Sequence, residues 1–162
     1  NSALLVCFVP SHYCIDNAIH SFAGLQLRDA CNEIMKKKGH LEETGKAEIT
    51  AGYNLPAKYI IHTVGPVVQS FNDSNKNMLA LCYKNCIELA STHCDNTGEK
   101  DIHSIAFCCI STGVFHFPNK DAAEIAVKTV EEFIAKTGSN IIVVFNVFKN
   151  EDYEIYQKLL NY

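Results

Sequence analysis

The sequence predicts an α/β fold with three α/β/α layers around a mixed, mostly parallel central sheet. Apolar segments of strand length alternate along the chain with longer segments of helical periodicity. Continuous apolar runs, such as residues 141–145, are typical of strands that are covered on both faces. Turn residues separate these segments, as at Gly39 and at Gly65-Pro66.

In the first half of the chain, apolar residues at helical spacing predict two helices, which end at Gly24 and Gly39. Two apolar segments of strand length follow a turn at Gly45, and the second of them ends at Gly65. These predicted elements cover residues 15–23, 25–38, 47–52 and 58–64 in turn.

In the second half, a polar loop over residues 72–76 leads to a long helix, and a polar linker over residues 95–100 follows it. A buried strand, an amphipathic helix, a second buried strand and a last helix complete the pattern. These predicted elements cover residues 77–91, 104–110, 120–136, 140–148 and 152–160 in turn. The length of 162 residues predicts a single domain over residues 1–162. Because no strand precedes the first loop, we expect N-terminal strands of the sheet to be missing from this chain.

Composition narrows the class of protein. Hydrophobic residues make up 48% and charged residues 20%, with no apolar run of membrane-spanning length, and residues 1–10 lack a basic leader. A net charge of -4 without a basic stripe argues against nucleic-acid binding. Among the 8 cysteines, Cys82 and Cys86 share a helical face, and Cys108 and Cys109 are adjacent in an apolar segment. This usage predicts reduced thiols and a cytoplasmic location.

A cluster of metal-binding side chains lies near the start of the sequence. Cys7, His12 and Cys14 fall within eight residues of each other, and Asp16 follows them. Two thiolates and an imidazole suit Zn²⁺, and a set of only three protein ligands leaves a coordination position open for chemistry. The alternative is that the cysteines are small buried hydrophobes and that His12 is an ordinary loop residue.

A second cluster follows the third predicted strand. Residues 110–118 contain Gly113 and lead directly into a helix. Glycine permits close approach of the backbone to a ligand, and successive amides beside a helix N-terminus can bind phosphate oxygens. Phe115 and Phe117 add apolar or stacking surface. The alternative is an ordinary strand-to-helix connection that carries an aromatic plug.

Taken together, several segments resemble macrodomains from residue 1 to the end of the chain. In order, they are Asn-Ser-Ala-Leu-Leu at 1–5, Ile-Asp-Asn-Ala-Ile-His at 15–20, Ala-Glu-Ile-Thr at 47–50, Tyr-Asn-Leu-Pro at 53–56, Ile-His-Thr-Val-Gly-Pro at 61–66 and Ser-Thr-Gly-Val-Phe at 111–115. Ordinary macrodomains have a glycine-rich loop where this chain has residues 7–14. That replacement resembles the zinc-containing branch, bacterial and fungal enzymes often linked to a class M sirtuin.

The resemblance implies ADP-ribose as ligand and hydrolysis of the bond between ADP-ribose and a protein. By position, Asn1 matches an asparagine that contacts the distal ribose, Asp16 matches an active-site aspartate, and Phe148 falls near an aromatic residue that flanks the ligand. His116 stands where many macrodomains have glycine, and the aspartate that reads adenine would precede Asn1. The residues that match the diphosphate and ribose loop are Ser111, Thr112, Gly113, Val114 and Phe115.

These matches lead to a hypothesis of zinc-dependent removal of mono-ADP-ribose from proteins, with an acidic side chain as the linkage. Zinc on Cys7, His12 and Cys14 would polarise a water or ribose hydroxyl, while Asp16 orients it or acts as base. Asp16 could instead be only a helix cap, and we interpret His20 and His62 as structural. The alternatives are a reader that binds ADP-ribose around a structural zinc and, third, a phosphatase acting on ADP-ribose 1″-phosphate. The family implies a functional link to a class M sirtuin and a lipoyl-carrier protein.

Overall fold

The computed structural model describes residues 15–161 of the chain. This part contains five α-helices and four β-strands, each where the sequence predicts an element of its type. In chain order they are α1 (Ile15–Ala23), α2 (Leu25–Lys38), β1 (Ala47–Ala51), β2 (Tyr59–Thr63), α3 (Asp73–Thr92), β3 (Ser104–Phe107), α4 (Asn119–Thr137), β4 (Ile142–Phe145) and α5 (Asn150–Leu159).

The strands of the described part form two pairs, and helices cover both faces of the first. β1 and β2 are antiparallel, whereas β3 and β4 are parallel, so the strands are mixed as predicted. On β2, Ile60 packs against buried residues of α1 and α2, and its neighbour Ile61 packs into the larger core of α3 and α4. Because neighbouring residues on a strand point to opposite faces, the three-layer α/β/α prediction is confirmed.

Helix α3 begins earlier than the sequence predicts. Residues 72–76 are predicted to be a loop, but the helix starts at Asp73. The side-chain oxygen of Asn72 accepts a hydrogen bond from the backbone N–H of Asn75 at 3.1 Å, and the Asn75 side chain accepts one from the N–H of Asn72 at 3.1 Å. This reciprocal cap satisfies N–H groups that a helix start leaves free, so the polar segment begins the helix.

The two strands of the parallel pair are shorter than the predicted ranges 104–110 and 140–148. The hydroxyl group of Tyr83 on α3 accepts a hydrogen bond from the N–H of Ile110 at 3.2 Å and donates one to the carbonyl of Cys108 at 3.3 Å. The backbone after Phe107 therefore bonds to a helix side chain and leaves the strand ladder. β4 keeps only the four residues that face β3.

The prediction that the apolar run 141–145 is covered on both faces is wrong for the described residues. Ile142 is 63% exposed and Val144 is 49% exposed. Ile105 and Phe107 of β3 point to the opposite face and join the core that α3 and α4 complete. The helices of residues 15–161 thus pack against one face of this pair.

The cysteines of the part of the chain that the structure describes agree with the predicted reduced thiols. These six cysteines form no disulfide, and Cys31, Cys82 and Cys86 are buried. Cys108 and Cys109 lie just after β3 and are half-buried. None of the helices between residues 15 and 161 has the length and apolarity that a membrane span needs.

Candidate functional site

A buried carboxylate and imidazole lie next to each other on α1. Asp16 is in the first turn and His20 is one turn later, so both side chains lie on the same side of the helix. The Nε2 atom of His20 is 3.8 Å from Oδ1 of Asp16, and the two side chains are 8% and 9% exposed. Oδ2 of Asp16 and Nδ1 of His20 have no hydrogen-bond partner among the described residues. Since buried polar atoms are almost always bonded, these two are candidates for contact with a ligand or water.

A second histidine supports this pair from β2. The ring of His62 lies 6.4 Å from the ring of His20, measured between centroids. Its Nε2 atom is 2.9 Å from the Thr50 hydroxyl and 3.9 Å from the Cys31 sulfur. Burial lowers the pKa of His62 to about 3 and raises the pKa of Cys31 to about 11. Burial also lowers the pKa of His20, although the Asp16 carboxylate opposes this effect. The site therefore holds its imidazoles and thiol in their uncharged forms near neutral pH.

The C-terminal end of α1 is fixed by a glycine. Gly24 has a φ of 92°, and its N–H donates to the carbonyl of His20 at 3.2 Å. A Cβ atom at this position would lie 2.8 Å from the side-chain nitrogen of Asn54. The N–H of Asn54 donates to the carbonyl of Ala23 at 3.4 Å, so α1 is tied to the connection between β1 and β2.

Residues 108–118 connect β3 with α4 in a compact loop. The N–H of Phe117 donates to the carbonyl of Ser111 at 3.0 Å, and the N–H of His116 donates to the carbonyl of Gly113 at 3.0 Å. Ser111 has a φ of 66° and His116 a φ of 57°, a left-handed conformation that side chains other than glycine rarely adopt. Such strain is typical of backbone that is shaped for a ligand.

The tip of this loop offers backbone donors. The N–H groups of Gly113, Val114 and Phe115 have no acceptor among the residues that the structure describes. A Cβ atom built on Gly113 meets nothing within 4 Å, so open space lies beside this backbone. Three successive free amides next to the start of α4 are suited to bind phosphate oxygens.

The loop is held against the segment that follows β2. The N–H of Val68 donates to the carbonyl of Phe115 at 2.9 Å. A Cβ atom on Gly65 would lie 2.2 Å from the hydroxyl oxygen of Ser111, so only glycine fits at this contact. The Ser111 side chain is buried, and its hydroxyl has no partner among residues 15–161.

The segment from His62 to Gly65 joins the two halves of the site. His62 contacts the His20 side, and Gly65 contacts the Ser111 loop. The two halves are therefore linked through one short segment of chain.

The described site residues predicted from the sequence lie on α1, on the loop 108–118 and after β4. Asp16 lies on α1, and the loop carries Ser111, Thr112, Gly113, Val114, Phe115 and His116. Phe148 follows β4 and is 98% exposed, so its ring is available for contact. The predicted residues Asn1, Cys7, His12 and Cys14 lie outside the described residues. Within residues 15–161 there is no group of three or more histidine, cysteine, aspartate or glutamate side chains suited to a metal ion.

The sequence pattern gives His20 a structural interpretation. In the structure its side chain is the neighbour of Asp16, a pairing that the sequence reasoning did not draw. The available signal was the spacing of four residues, which places two helix side chains one above the other.

The Macro domain family matches residues 1–126, which is most of the chain. The chain belongs to the Macro domain family. This macrodomain is 50% identical over 163 residues to a protein of Staphylococcus aureus strain MSSA476 named Protein-ADP-ribose hydrolase. It is 50% identical over 162 residues to a Treponema medium protein of the same name. Each alignment covers 99% of this chain and 59% of the relative, so the chain spans about three fifths of those proteins.

Solved structures agree with the family assignment. An Oceanobacillus iheyensis macrodomain with ADP superposes with a TM-score of 0.85 at 37% identity, covering 100% of this chain and 80% of that chain. A Trypanosoma brucei macrodomain in complex with ADP-ribose has a TM-score of 0.73 at 34% identity, covering 91% of this chain and 55% of that chain. The macrodomain fold that the resemblance implies is therefore confirmed.

Proposed function

We propose that this macrodomain hydrolyses the bond between mono-ADP-ribose and a modified protein, with an acidic side chain as the linkage and zinc in the site. The observation that carries the proposal is the buried Asp16–His20 pair, whose Oδ2 and Nδ1 atoms have no hydrogen-bond partner among residues 15–161. The loop 108–118, with its available backbone amides, supports it. The name Protein-ADP-ribose hydrolase on relatives at 50% identity supports it.

The loop accounts for binding. The diphosphate of ADP-ribose carries negative charge and accepts hydrogen bonds, which the N–H groups of Gly113, Val114 and Phe115 can donate. The open space beside Gly113 admits the phosphates close to the backbone. Phe148 is exposed at the end of β4 and supplies a flat apolar surface for a ring of the ligand.

The Asp16–His20 pair accounts for the reaction. Oδ2 of Asp16 can accept a hydrogen bond from a water or a ribose hydroxyl and so orient it toward the scissile bond. His20 has a pKa lowered by burial, so its uncharged ring can take up or pass on a proton at Nδ1. Positioning of both reactants by fixed side chains removes much of the entropic barrier.

The proposed zinc ligands are Cys7, His12 and Cys14, which lie outside the described residues. Two thiolates and an imidazole match the preference of Zn²⁺. The buried Oδ2 of Asp16 has no hydrogen-bond partner among residues 15–161, and Asp16 follows Cys14 by two positions, so a polar group bound at this end of α1 would fit. When bound, zinc lowers the pKa of a coordinated water or hydroxyl. Links to a class M sirtuin and a lipoyl-carrier protein, and a cytoplasmic location, belong to the proposal through the resemblance and the reduced thiols.

The decisive experiment uses a protein that carries mono-ADP-ribose on aspartate or glutamate. We expect the full-length wild-type protein to release ADP-ribose and Cys14→Ala to lose release while still binding free ADP-ribose. Cys94→Ala removes an exposed cysteine and is the matched control. If Cys14→Ala releases ADP-ribose at the wild-type rate, zinc has no part in the reaction.

Metal content tests the same proposal directly. Elemental analysis of protein purified without chelator should find about one zinc per chain, and acidification should release it because the ligands bind in deprotonated form. Zinc-free protein that retains full hydrolysis would contradict the metal part of the proposal and leave the Asp16–His20 part intact.

One observation favours the reader as second candidate. Asp16 lies in the first turn of α1, where a carboxylate stabilises a helix without any catalytic role. A reader binds ADP-ribose and leaves the modified protein intact in every variant. If the wild-type macrodomain binds ADP-ribose but leaves the mono-ADP-ribose on the modified protein, the reader function is correct.

A further inference from the structure

A second buried carboxylate lies at the start of α5. Asp152 is in the first turn of α5 and is 5% exposed. Its Oδ1 atom accepts a hydrogen bond from the side-chain amide of Asn119 at 2.6 Å. Asn119 is the first residue of α4, so this bond joins the N-terminal ends of two helices.

The surroundings of Asp152 offset part of the cost of its burial. The start of α5 favours a negative charge through its free N–H groups. The Cys109 thiol also interacts with this carboxylate, and its pKa is raised to about 12, first by burial and then by the charge of Asp152. Cys109 therefore stays protonated and can donate. Burying a carboxylate is costly unless it is hydrogen-bonded, so the bond from Asn119 helps to keep Asp152 in this position.

Each of the two joined helices directly follows a loop at the same edge of the β3–β4 pair. Helix α4 follows the loop 108–118, which carries the free amides, and α5 follows residues 146–149, which carry Phe148. Parallel strands end at one edge, so both loops lie side by side there. Cys109 adds a contact from the start of the first loop to Asp152.

We infer that Asp152 is a positioning residue for ADP-ribose: by tying α5 to Asn119 and Cys109, it sets the separation between the amides of the loop 108–118 and the ring of Phe148. This inference rests on the proposed function, because it assigns Asp152 a part in holding the same ligand. Asp152 itself touches neither the ligand nor the reacting atoms. Its effect therefore belongs in binding and leaves the chemical step unchanged.

The test compares single variants with an exchange of the two partners. Asp152→Ala removes the tie, Asn119→Asp places two carboxylates opposite each other, and the double variant D152N/N119D restores an amide facing a carboxylate. Glu151→Gln, on the exposed neighbour in the same helical turn, is the control. The readouts are the Kd for ADP-ribose by calorimetry, KM and kcat on mono-ADP-ribosylated protein, and Tm.

We expect Asp152→Ala to raise Kd and KM about tenfold, because the binding groups would no longer be held in place before the ligand arrives, with kcat within about twofold. The double variant should return Kd to within about threefold of wild type, since the pair is coupled. The inference would be overturned if Asp152→Ala lowered kcat by as much as it raised KM, or if the double variant recovered Tm but not Kd.

If the wild-type protein binds no ADP-ribose, the proposed function is overturned as well. If the wild-type protein binds ADP-ribose and Asp152→Ala binds it with the same Kd, this inference alone is overturned.

Discussion

The two halves of the site are built in different ways. On the α1 side, the proposed chemistry uses the buried side chains of Asp16 and His20, which His62 packs beside and which keep polar atoms without a partner among residues 15–161. On the β3–α4 side, the proposed binding uses backbone N–H groups in a loop that contains the left-handed residues Ser111 and His116. Substitutions on the α1 side should therefore change the rate of reaction, and substitutions in the loop should change ligand binding. The predictions below test that separation, from the largest expected effect to the smallest.

The largest effect is expected at Asp16. Asp16→Asn keeps the size of the side chain and its position at the start of α1, but removes the charge and basicity that orient a water. We expect kcat to fall roughly 10³-fold, within the range of acid–base catalysis, while the Kd for ADP-ribose changes by less than about threefold. Steady-state hydrolysis and calorimetry measure the two quantities. Asp29→Asn on the exposed face of α2 is the control. If Asp16→Asn weakens ADP-ribose binding as much as it lowers kcat, the two sides do not have separate roles.

A substitution at Gly65, where the segment after β2 contacts the loop 108–118, should lower the stability of the fold. Gly65→Ala places a Cβ atom 2.2 Å from the Ser111 hydroxyl and 2.9 Å from Cγ2 of Ile110. We expect the free energy of unfolding to fall by about 3 kcal/mol, the upper range for overpacking. Urea denaturation measures it. Adding Ser111→Gly removes the closest atom and should recover part of the loss; no recovery would mean that the Ser111 contact is not what excludes a side chain at 65.

The buried imidazole of His62 predicts a pH dependence of stability. Its pKa is about 3 in the folded protein against an ordinary value of 6.5, so below pH 6.5 the unfolded chain takes up a proton that the folded protein does not. Stability is therefore fully present above pH 6.5 and falls as the pH drops toward 3. Between pH 7 and pH 5 this amounts to about 2 kcal/mol.

His62→Gln tests the pH prediction because glutamine can still bond Thr50 but does not titrate. We expect its unfolding free energy to depend less on pH between 7 and 5 than that of wild type. His103→Gln, which replaces an exposed histidine, should keep the wild-type slope. Identical slopes in all three proteins would show that His62 does not carry the proton linkage.

The smallest effect is expected at the loop tip, and it should appear in binding alone. Gly113→Ala adds a methyl group that meets no protein atom within 4 Å, so Tm should not change. The methyl group lies where the backbone approaches the phosphates, and we expect the Kd for ADP-ribose to rise about tenfold, or 1.4 kcal/mol. Calorimetry and thermal melting separate the two. A drop in Tm without a change in the Kd for ADP-ribose would show that the loop tip does not contact the ligand.

Local sequence signals predicted the elements well where the signals themselves are local. α1 and α2 have the predicted bounds because Gly24 and Gly39 end them, each with a positive φ. The start of α3 was placed too late because asparagine-rich sequence is typical of both loops and caps, and only the reciprocal bonds between Asn72 and Asn75 distinguish them.

Tertiary contacts account for what the sequence could not predict. Nothing near residue 110 indicates that a tyrosine 27 positions earlier bonds its backbone and ends β3. The site shows the same limit: the loop 111–116 was recognised from glycine and its place before a helix, but the left-handed Ser111 and His116 were not. The spacing of Asp16 and His20 can be read from the sequence, but the polar atoms that burial leaves without a partner among residues 15–161 cannot.

The uncovered face of β4 has a practical consequence. Within the described residues β4 pairs with β3 alone, and Ile142 and Val144 present apolar surface beside a free strand edge. Such an edge recruits strands from neighbouring molecules. A preparation limited to these residues is therefore expected to self-associate as its concentration rises, and sedimentation over a dilution series would reveal particles larger than a monomer before any enzymatic assay is interpreted.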